Sequence, residues 1–514
     1  MCVTQRRARG EGMKARATIH RDFKVGAIDE RIYSGFLEHL GRAVYGGIYE
    51  PSHPSAGTGG FRKDVLDLVG KLRLPLIRYP GGNFVSAYNW EDGIGPREKR
   101  PVRLDLAWRT RETNEIGIDE FASWCDAAGT QMMLAVNLGT RGHDAALSLL
   151  EYCNHPGGTY WSDLRRRNGS EKPYAVKVWC LGNEMDGVWQ IGHKTAHEYG
   201  RLANEIGRAM KAFDSKLELV ACGSTHSQMK TYPAWEVEVL EECYETVDYI
   251  SLHSYFENYE GDYLNHIAKP IVMDRYIHTV GGAIDFVKAK LRLKKDLYIS
   301  FDEWNVWYHQ RRQDHTNFKS WDWPVAPPLC EETYNFEDAL VVGCVMNTFI
   351  RRCDRVKIAC IAQLVNVIAP IMTETGGRAW RQTIYYPFLL GSLHGRGEAM
   401  QVALDAPTYD AAAADDVPYL DIAAVHDPGA RTIAIFAINR HPREPLDLEV
   451  DLAGFSKTQL IEHILLHHVD LNAVNTADAP DTVKPSYQDA TLVEDGELRS
   501  QLRPASYNVI RISL

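Results

Sequence analysis

The 514-residue chain is predicted to be an α/β protein, a (β/α)8 TIM barrel followed by a C-terminal antiparallel β-sandwich of jelly-roll-like type. Three observations lead there. Eight apolar, strand-like runs alternate with amphipathic helical stretches between residues 29 and 386. Nearly all of these runs end in polar groups able to bind hydroxyls or exchange protons, at the end where barrel enzymes keep their chemistry. After about Tyr386 helical periodicity fades and short alternating runs appear, separated by turn clusters such as Asp427-Pro428-Gly429. The competing doubly wound sheet needs fewer strands and a Gly-rich first turn, which is not seen.

The strands are expected at about Ile32–Phe36, Pro75–Arg78, Met132–Val136, Val176–Leu181, Leu217–Ala221, Tyr249–Leu252, Leu297–Phe301 and Val356–Ala362. Helices are expected over Phe61–Leu72, Ile118–Ala128, Thr195–Phe213, Trp235–Tyr244, Ala283–Leu293 and Phe336–Arg352. In the third of these, Tyr199, Leu202, Ile206, Ala209 and Phe213 form one apolar stripe. Residues 1–28 are expected to be a tail and a strand near Ala15–Val25 joining the sandwich. Residues 29–386 form the catalytic barrel and 387–514 the sandwich, with no low-complexity linker between them.

Composition narrows the class. Hydrophobic residues make up 45% and charged residues 24%, as in a soluble globular enzyme. A net charge of −11 argues mildly against nucleic acid or an anionic membrane as partner. No apolar run approaches the roughly 20 residues of a membrane span. The Arg-rich N-terminus lacks the apolar segment of a secretory signal, and Met13 competes with Met1 as the start. The ten cysteines show no C-x-x-C pair, and those in apolar runs (Cys125, Cys180, Cys222, Cys344, Cys360) read as small hydrophobes. A reducing cytoplasm fits best.

Two strands carry the chemistry. Val176 to Leu181 runs into Gly182-Asn183-Glu184, and Leu297 to Phe301 runs into Asp302-Glu303-Trp304. A buried strand has no structural use for a carboxylate at its end, where the charge is costly. Strands four and seven of a barrel open into one mouth, so Glu184 and Glu303 are expected to meet there. Glycoside hydrolysis needs such a pair, about 5–5.5 Å apart in retaining enzymes. Arg78, at the end of strand two, is expected to keep one carboxylate ionised. Gly81-Gly82 allows close backbone approach beside Asn83, and His253 and Tyr255 end strand six. Trp304, Trp307, Tyr308, Trp321 and Trp323 offer aromatic faces to a sugar, each weighed evenly against plain packing. Arg165-Arg166-Arg167 reads as a solvated face. No zinc spacing, nucleophile elbow or phosphate loop is found, and no metal or organic cofactor is implied.

Five long motifs resemble glycoside hydrolase family 51, the α-L-arabinofuranosidases. They are Phe36 to Glu50, Arg78 to Val85, Trp179 to Gly187, Phe301 to Tyr308 and Ala362 to Pro370. The likeness runs from about Ala15 to the C-terminus. It implies Glu184 as general acid/base and Glu303 as nucleophile, an assignment the residues alone leave open. It implies that Glu38, Asn83 and Asn183 bind sugar hydroxyls, and it puts Arg78, His253, Tyr255 and Gln363 in the same pocket; Trp307 is expected to bind substrate as part of the aromatic segment. It further implies a retaining, exo-acting enzyme on arabinan or arabinoxylan oligosaccharides, working inside the cell, in a family that is commonly oligomeric and often hexameric. The Gln310–Trp323 loop departs from the family pattern. Two other readings stand beside this one: a related retaining β-xylosidase or endoglucanase, and a non-catalytic carbohydrate-binding barrel.

Overall fold

The computed structural model describes residues 12–318 and 320–514, so the expected tail before residue 12 lies outside the described residues. Eight parallel strands close into a barrel. In chain order they are β1 (Ser34–Phe36), β2 (Leu76–Tyr79), β3 (Gln131–Ala135), β4 (Val178–Leu181), β5 (Glu218–Cys222), β6 (Tyr249–Phe256), β7 (Tyr298–Val306) and β8 (Val356–Ala362). The strands are buried on both faces, one filling the barrel and the other packed against helices, and are mostly apolar away from the mouth. Phe36, Leu76, Met133, Val178, Cys180, Val220, Ile358 and Cys360 fill the interior. Ile77, Leu134, Trp179, Leu219, Ile250 and Phe301 join the outer core.

Strands β6 and β7 run four and five residues beyond their expected ends, so His253, Tyr255, Asp302 and Glu303 lie within strands. The extension of β7 contains a bulge. Ser300 aligns with Ser251 and Glu303 with His253, so β7 spends three residues where β6 spends two. The β8 side shows the same step, from Phe301/Ala359 to Trp304/Ile361. An inserted residue breaks the two-residue alternation of side chains. Asp302 and Glu303 therefore both face the interior, while Phe301 and Trp304 point outward onto Phe349.

Helices absent from the expectation include His143–Asn154, Tyr160–Arg167 and Tyr385–His394, and the helix expected from Ala283 begins at Pro270. The reading of Arg165-Arg166-Arg167 as a solvated face is corrected at Arg165. That side chain is buried, and its guanidinium donates to the carbonyls of Tyr152 and His155 at 2.7 Å and of Ser170 at 3.1 Å. Helical rotation turns one arginine of three inward and leaves the other two in solvent. Arg165→Met would strand these buried carbonyls. It is expected to cost about 3 kcal/mol, read as a lower urea midpoint with Arg166→Met as the neutral control.

The C-terminal part is built on a ten-stranded sheet, with a separate two-stranded pair, Thr408–Tyr409 and Val417–Pro418. The order of the large sheet is Ser486–Tyr487, Gln459–His467, Ser506–Ser513, Thr432–Asn439, Leu420–Asp427, Glu398–Asp405, Met13–Ala27, Leu446–Asp451, Glu497–Leu502 and Leu492–Glu494. Every neighbouring pair is antiparallel except Met13–Ala27 with Leu446–Asp451. The sheet curls around its own core, where Ile433, Ile435 and Ile510 meet Leu448, Val450 and Leu498. The alternate residues Phe436, Ile438, Tyr507 and Val509 belong to the barrel core instead. Helix Phe336–Arg351 lies between the two parts, which explains why it is buried on every side and mostly apolar. Asp421 locks that junction, accepting from Asn347 at 2.6 Å, Arg351 at 3.0 Å and Arg440 at 2.7 Å. Helix Tyr385–His394 straddles residue 386 and the sheet resumes at Glu398.

Candidate active site

The mouth at the C-terminal ends of the strands gathers the expected polar residues. After β4 the chain turns sharply through two left-handed residues, Gly182 (φ 91°) and Glu184 (φ 45°). Glycine takes that conformation freely, whereas a glutamate there costs on the order of 1 kcal/mol or more. Asn183 and Glu184 both reach the cleft. Arg78 is buried with its guanidinium 4.7 Å from the Phe36 ring centroid. Its Nη1 donates to Glu303 Oε1 at 2.7 Å and its Nη2 to Asn183 Oδ1 at 2.6 Å. Asn183 donates weakly to Asn83 at 3.5 Å.

Glu303 also accepts from the Tyr255 hydroxyl at 2.9 Å, and Trp307 packs edge-on against the Tyr255 ring at 5.2 Å. His253 sits between the two carboxylates. Its Nδ1 is 2.9 Å from Glu184 Oε1 and 3.6 Å from Glu303 Oε2, and one oxygen of each carboxylate lies within 4.8 Å of the other. Glu38 forms the remaining wall. Its Oε1 accepts from Phe84 N and Trp108 Nε1, each at 2.9 Å, and Gln363 Nε2 stands 3.3 Å from its Oε2. A Cβ on Gly82 would fall 2.3 Å from Glu38 Oε2, so a side chain there would displace this carboxyl.

All ten residues expected in the pocket are thus brought to one mouth. Among the aromatic residues offered as sugar platforms the structure separates two roles. Trp304 is fully buried against Phe349 and Phe388, which is packing, while Trp307 lines the cleft beside Tyr255. Two contributors, Trp108 and Trp189, escaped the sequence reading, and a third, Asp302, is named there only as the residue before Glu303. Trp108 comes from a hairpin of two three-residue strands, Arg103–Asp105 and Thr110–Glu112. Trp189 donates to Glu184 Oε2 at 2.9 Å and is 47% exposed at the rim. Its distance of five residues from Glu184 was the available signal. Asp302 lies beneath His253.

Burial acts on every carboxyl here, and the donors decide the outcome. Burial pushes Glu38 up to about 8 against the pull of Phe84 N–H and Trp108. Burial also pushes Glu303 up, helped by the Glu184 charge and opposed by His253 and Arg78. In Glu184 burial is outweighed by the hydrogen bonds of His253 and Trp189, which hold the carboxyl below its usual value. Burial pushes the His253 imidazole down, but Glu303, Asp302 and Glu184 together carry it up to about 10. Glu184, His253 and Glu303 are also the one His/Cys/Asp/Glu cluster with metal-ligand spacing among the described residues. A guanidinium 2.7 Å from Glu303 and an imidazole shared between the carboxylates oppose a further cation there.

Comparison with known proteins gives the same direction throughout. The model of the alpha-L-arabinofuranosidase 1 domain matches residues 68–268, and that of the alpha-L-arabinofuranosidase C-terminal domain matches residues 302–506. The chain is 53% identical to an intracellular exo-α-(1→5)-L-arabinofuranosidase of Halalkalibacterium halodurans, over 97% of this chain and 99% of the relative. It is 45% identical to an exo-α-(1→6)-L-arabinofuranosidase of Bifidobacterium longum, over 98% of each. A solved family 51 α-L-arabinofuranosidase from Bifidobacterium longum superposes with a TM-score of 0.93 at 46% identity, covering 98% of this chain and 100% of that one.

Proposed function

The chain belongs to glycoside hydrolase family 51, the α-L-arabinofuranosidases, and from that premise we propose a retaining, exo-acting enzyme that works by double displacement. Its substrates would be arabinan or arabinoxylan oligosaccharides carrying terminal α-L-arabinofuranosyl residues. The observation that carries the mechanism is the approach of the Glu184 and Glu303 oxygens to within 4.8 Å, with His253 between them. A retaining pair stands about 5–5.5 Å apart, whereas an inverting pair needs about 6.5–9.5 Å for a water between them.

The fixed donors favour Glu303 as nucleophile. Arg78 keeps its charge throughout and, with Tyr255, holds both Glu303 oxygens. Glu184 is buried, but its second oxygen accepts from Trp189, which is half exposed at the rim where a leaving group would depart. In the first step a Glu303 oxygen bonds to the anomeric carbon as the glycosidic C–O bond breaks. Glu184 gives its proton to the departing oxygen. In the second step Glu184 takes a proton from water, the hydroxide oxygen bonds to the anomeric carbon, and the ester to Glu303 breaks. His253 Nδ1 faces both carboxylates, 2.9 Å from Glu184 and 3.6 Å from Glu303.

Asn183, Asn83, Glu38 and Gln363 supply the polar groups for the hydroxyls of one furanose. One relative is named for (1→5) and the other for (1→6) linkages, so terminal arabinofuranose rather than one linkage is the shared requirement. The test is stereochemical. NMR of the first product released from an aryl α-L-arabinofuranoside is expected to show α-arabinofuranose before mutarotation. Initial formation of the β anomer would refute double displacement. Higher rates on a xyloside or a cellodextrin than on the arabinofuranoside would instead support the related glycosidases.

A further inference from the structure

We propose that Asp302 is a positioning residue that holds His253 as an imidazolium facing both catalytic carboxylates, and thereby sets the acid strength of Glu184. The inference rests on the reading of Glu184 and Glu303 as the reacting pair. It begins with the bulge in β7, which turns Asp302 inward immediately before Glu303. Asp302 is buried, yet it is not a simple ion-pair partner of Arg78, whose Nε lies 3.8 Å away. Its Oδ1 instead meets His253 Nε2 at 3.0 Å and accepts from the Ser251 hydroxyl at 2.6 Å. Its Oδ2 accepts from the Ser300 hydroxyl at 3.2 Å.

These contacts fix the ring. A carboxylate with Oδ1 on Nε2 requires a proton on that nitrogen, and Nδ1 faces Glu184 at 2.9 Å and Glu303 at 3.6 Å. With an acceptor on each side, both nitrogens carry hydrogen. The ionisable and charged groups facing the ring are Asp302 and Glu303 of β7, Glu184 after β4, Arg78 of β2, Tyr255 of β6 itself, and His226 beyond β5. Arg78 and His226 oppose the charge, and the three carboxylates sustain it. Asp302 is held below the usual carboxylate range despite burial, through Arg78, His253 and Ser251, so its charge persists. When Glu184 releases its proton to the leaving group, the imidazolium 2.9 Å away stabilises the new carboxylate. When Glu303 is esterified, the same cation still has Asp302 and Glu184 as partners.

The test variant is Asp302→Asn, which keeps the volume and hydrogen-bonding shape but removes the charge. Removing one carboxylate alone would lower the proton affinity of its neighbours. Losing the imidazolium acts in the opposite direction and from closer range, in direct contact with both glutamates. The pH profile of kcat/KM is therefore expected to move to higher pH by about one unit. At the wild-type optimum the rate on natural oligosaccharides should fall about tenfold to a hundredfold, with much less loss on a dinitrophenyl arabinoside. A merely structural role would lower the whole profile without moving it and would affect both substrates alike. That result, or a profile moved to lower pH, overturns the proposal. If the variant does not fold, NMR of the wild-type protein with isotope-labelled histidine decides. Both His253 nitrogens should be protonated near neutral pH, the signal being assigned by its loss in His253→Gln. A bare nitrogen at that pH overturns the proposal. Failure here leaves the reacting pair itself untouched, because Glu303→Ala and Glu184→Ala test that separately.

Discussion

Glu303→Ala is expected to lower kcat/KM on an aryl arabinofuranoside by about 10⁴-fold or more, the scale on which removal of a covalent nucleophile is felt. The cleft should survive the change. Arg78 loses one partner but keeps Asn183 at 2.6 Å, the Asp302 charge at 3.8 Å and the Phe36 ring. Truncation leaves a space next to a buried guanidinium and the Tyr255 hydroxyl, which suits a small anion. Added azide should enter there, attack the anomeric carbon from the vacated side and restore turnover of a substrate with a good leaving group. Its product should be the glycosyl azide of inverted configuration, identified by NMR. Wild-type rates in the variant would remove Glu303 from the chemistry. Rescue that gave a retained azide would mean that a different group forms the covalent bond.

The barrel was legible because a parallel strand is covered on both faces and must be apolar along its length. β8, Val356–Ala362, appears in the structure with the limits its sequence suggests. The carboxylates were legible because charge interrupts that pattern abruptly at Glu184 and Glu303. What pattern could not show was where the pattern itself breaks. The bulge that points Asp302 and Glu303 the same way is a property of pairing with β6 and β8, not of the local residues. Trp108 was hidden for a related reason, since its hairpin is too short to show alternation and reaches Glu38 from far along the chain. Helix Pro270–Lys290 was half missed because Gly281-Gly282 breaks the helix-forming pattern of its sequence, although the helix itself runs on unbroken with Met273, Tyr276, Ile277 and Val280 on its buried face. The ten-strand order is equally non-local. Met13–Ala27 pairs with strands that begin at Glu398 and Leu446, and its alternating side chains signal only that one face will be covered.

Glu184→Ala is expected to divide substrates by leaving group. Natural oligosaccharides, whose departing alkoxide must be protonated, should lose about 10²–10⁴-fold in kcat/KM. A dinitrophenyl arabinoside, whose departing anion is already stable, should lose little in the first step. Its turnover should then be limited by the second step, because no base remains to activate water. The arabinosyl ester on Glu303 should accumulate and KM should fall together with kcat. A burst of phenolate equal to the enzyme concentration would register that accumulation. The pH profile should change in a definite direction. The alkaline limb of kcat/KM reports loss of the proton from the general acid, so it should vanish in Glu184→Ala while the acidic limb remains. Trp189 and His253 each lose a hydrogen-bond partner, but Trp189 is half exposed and His253 keeps Asp302, so the ring and its charge stay in place. A uniform loss across all leaving groups, with both limbs intact, would show that Glu184 shapes the pocket without handling the proton.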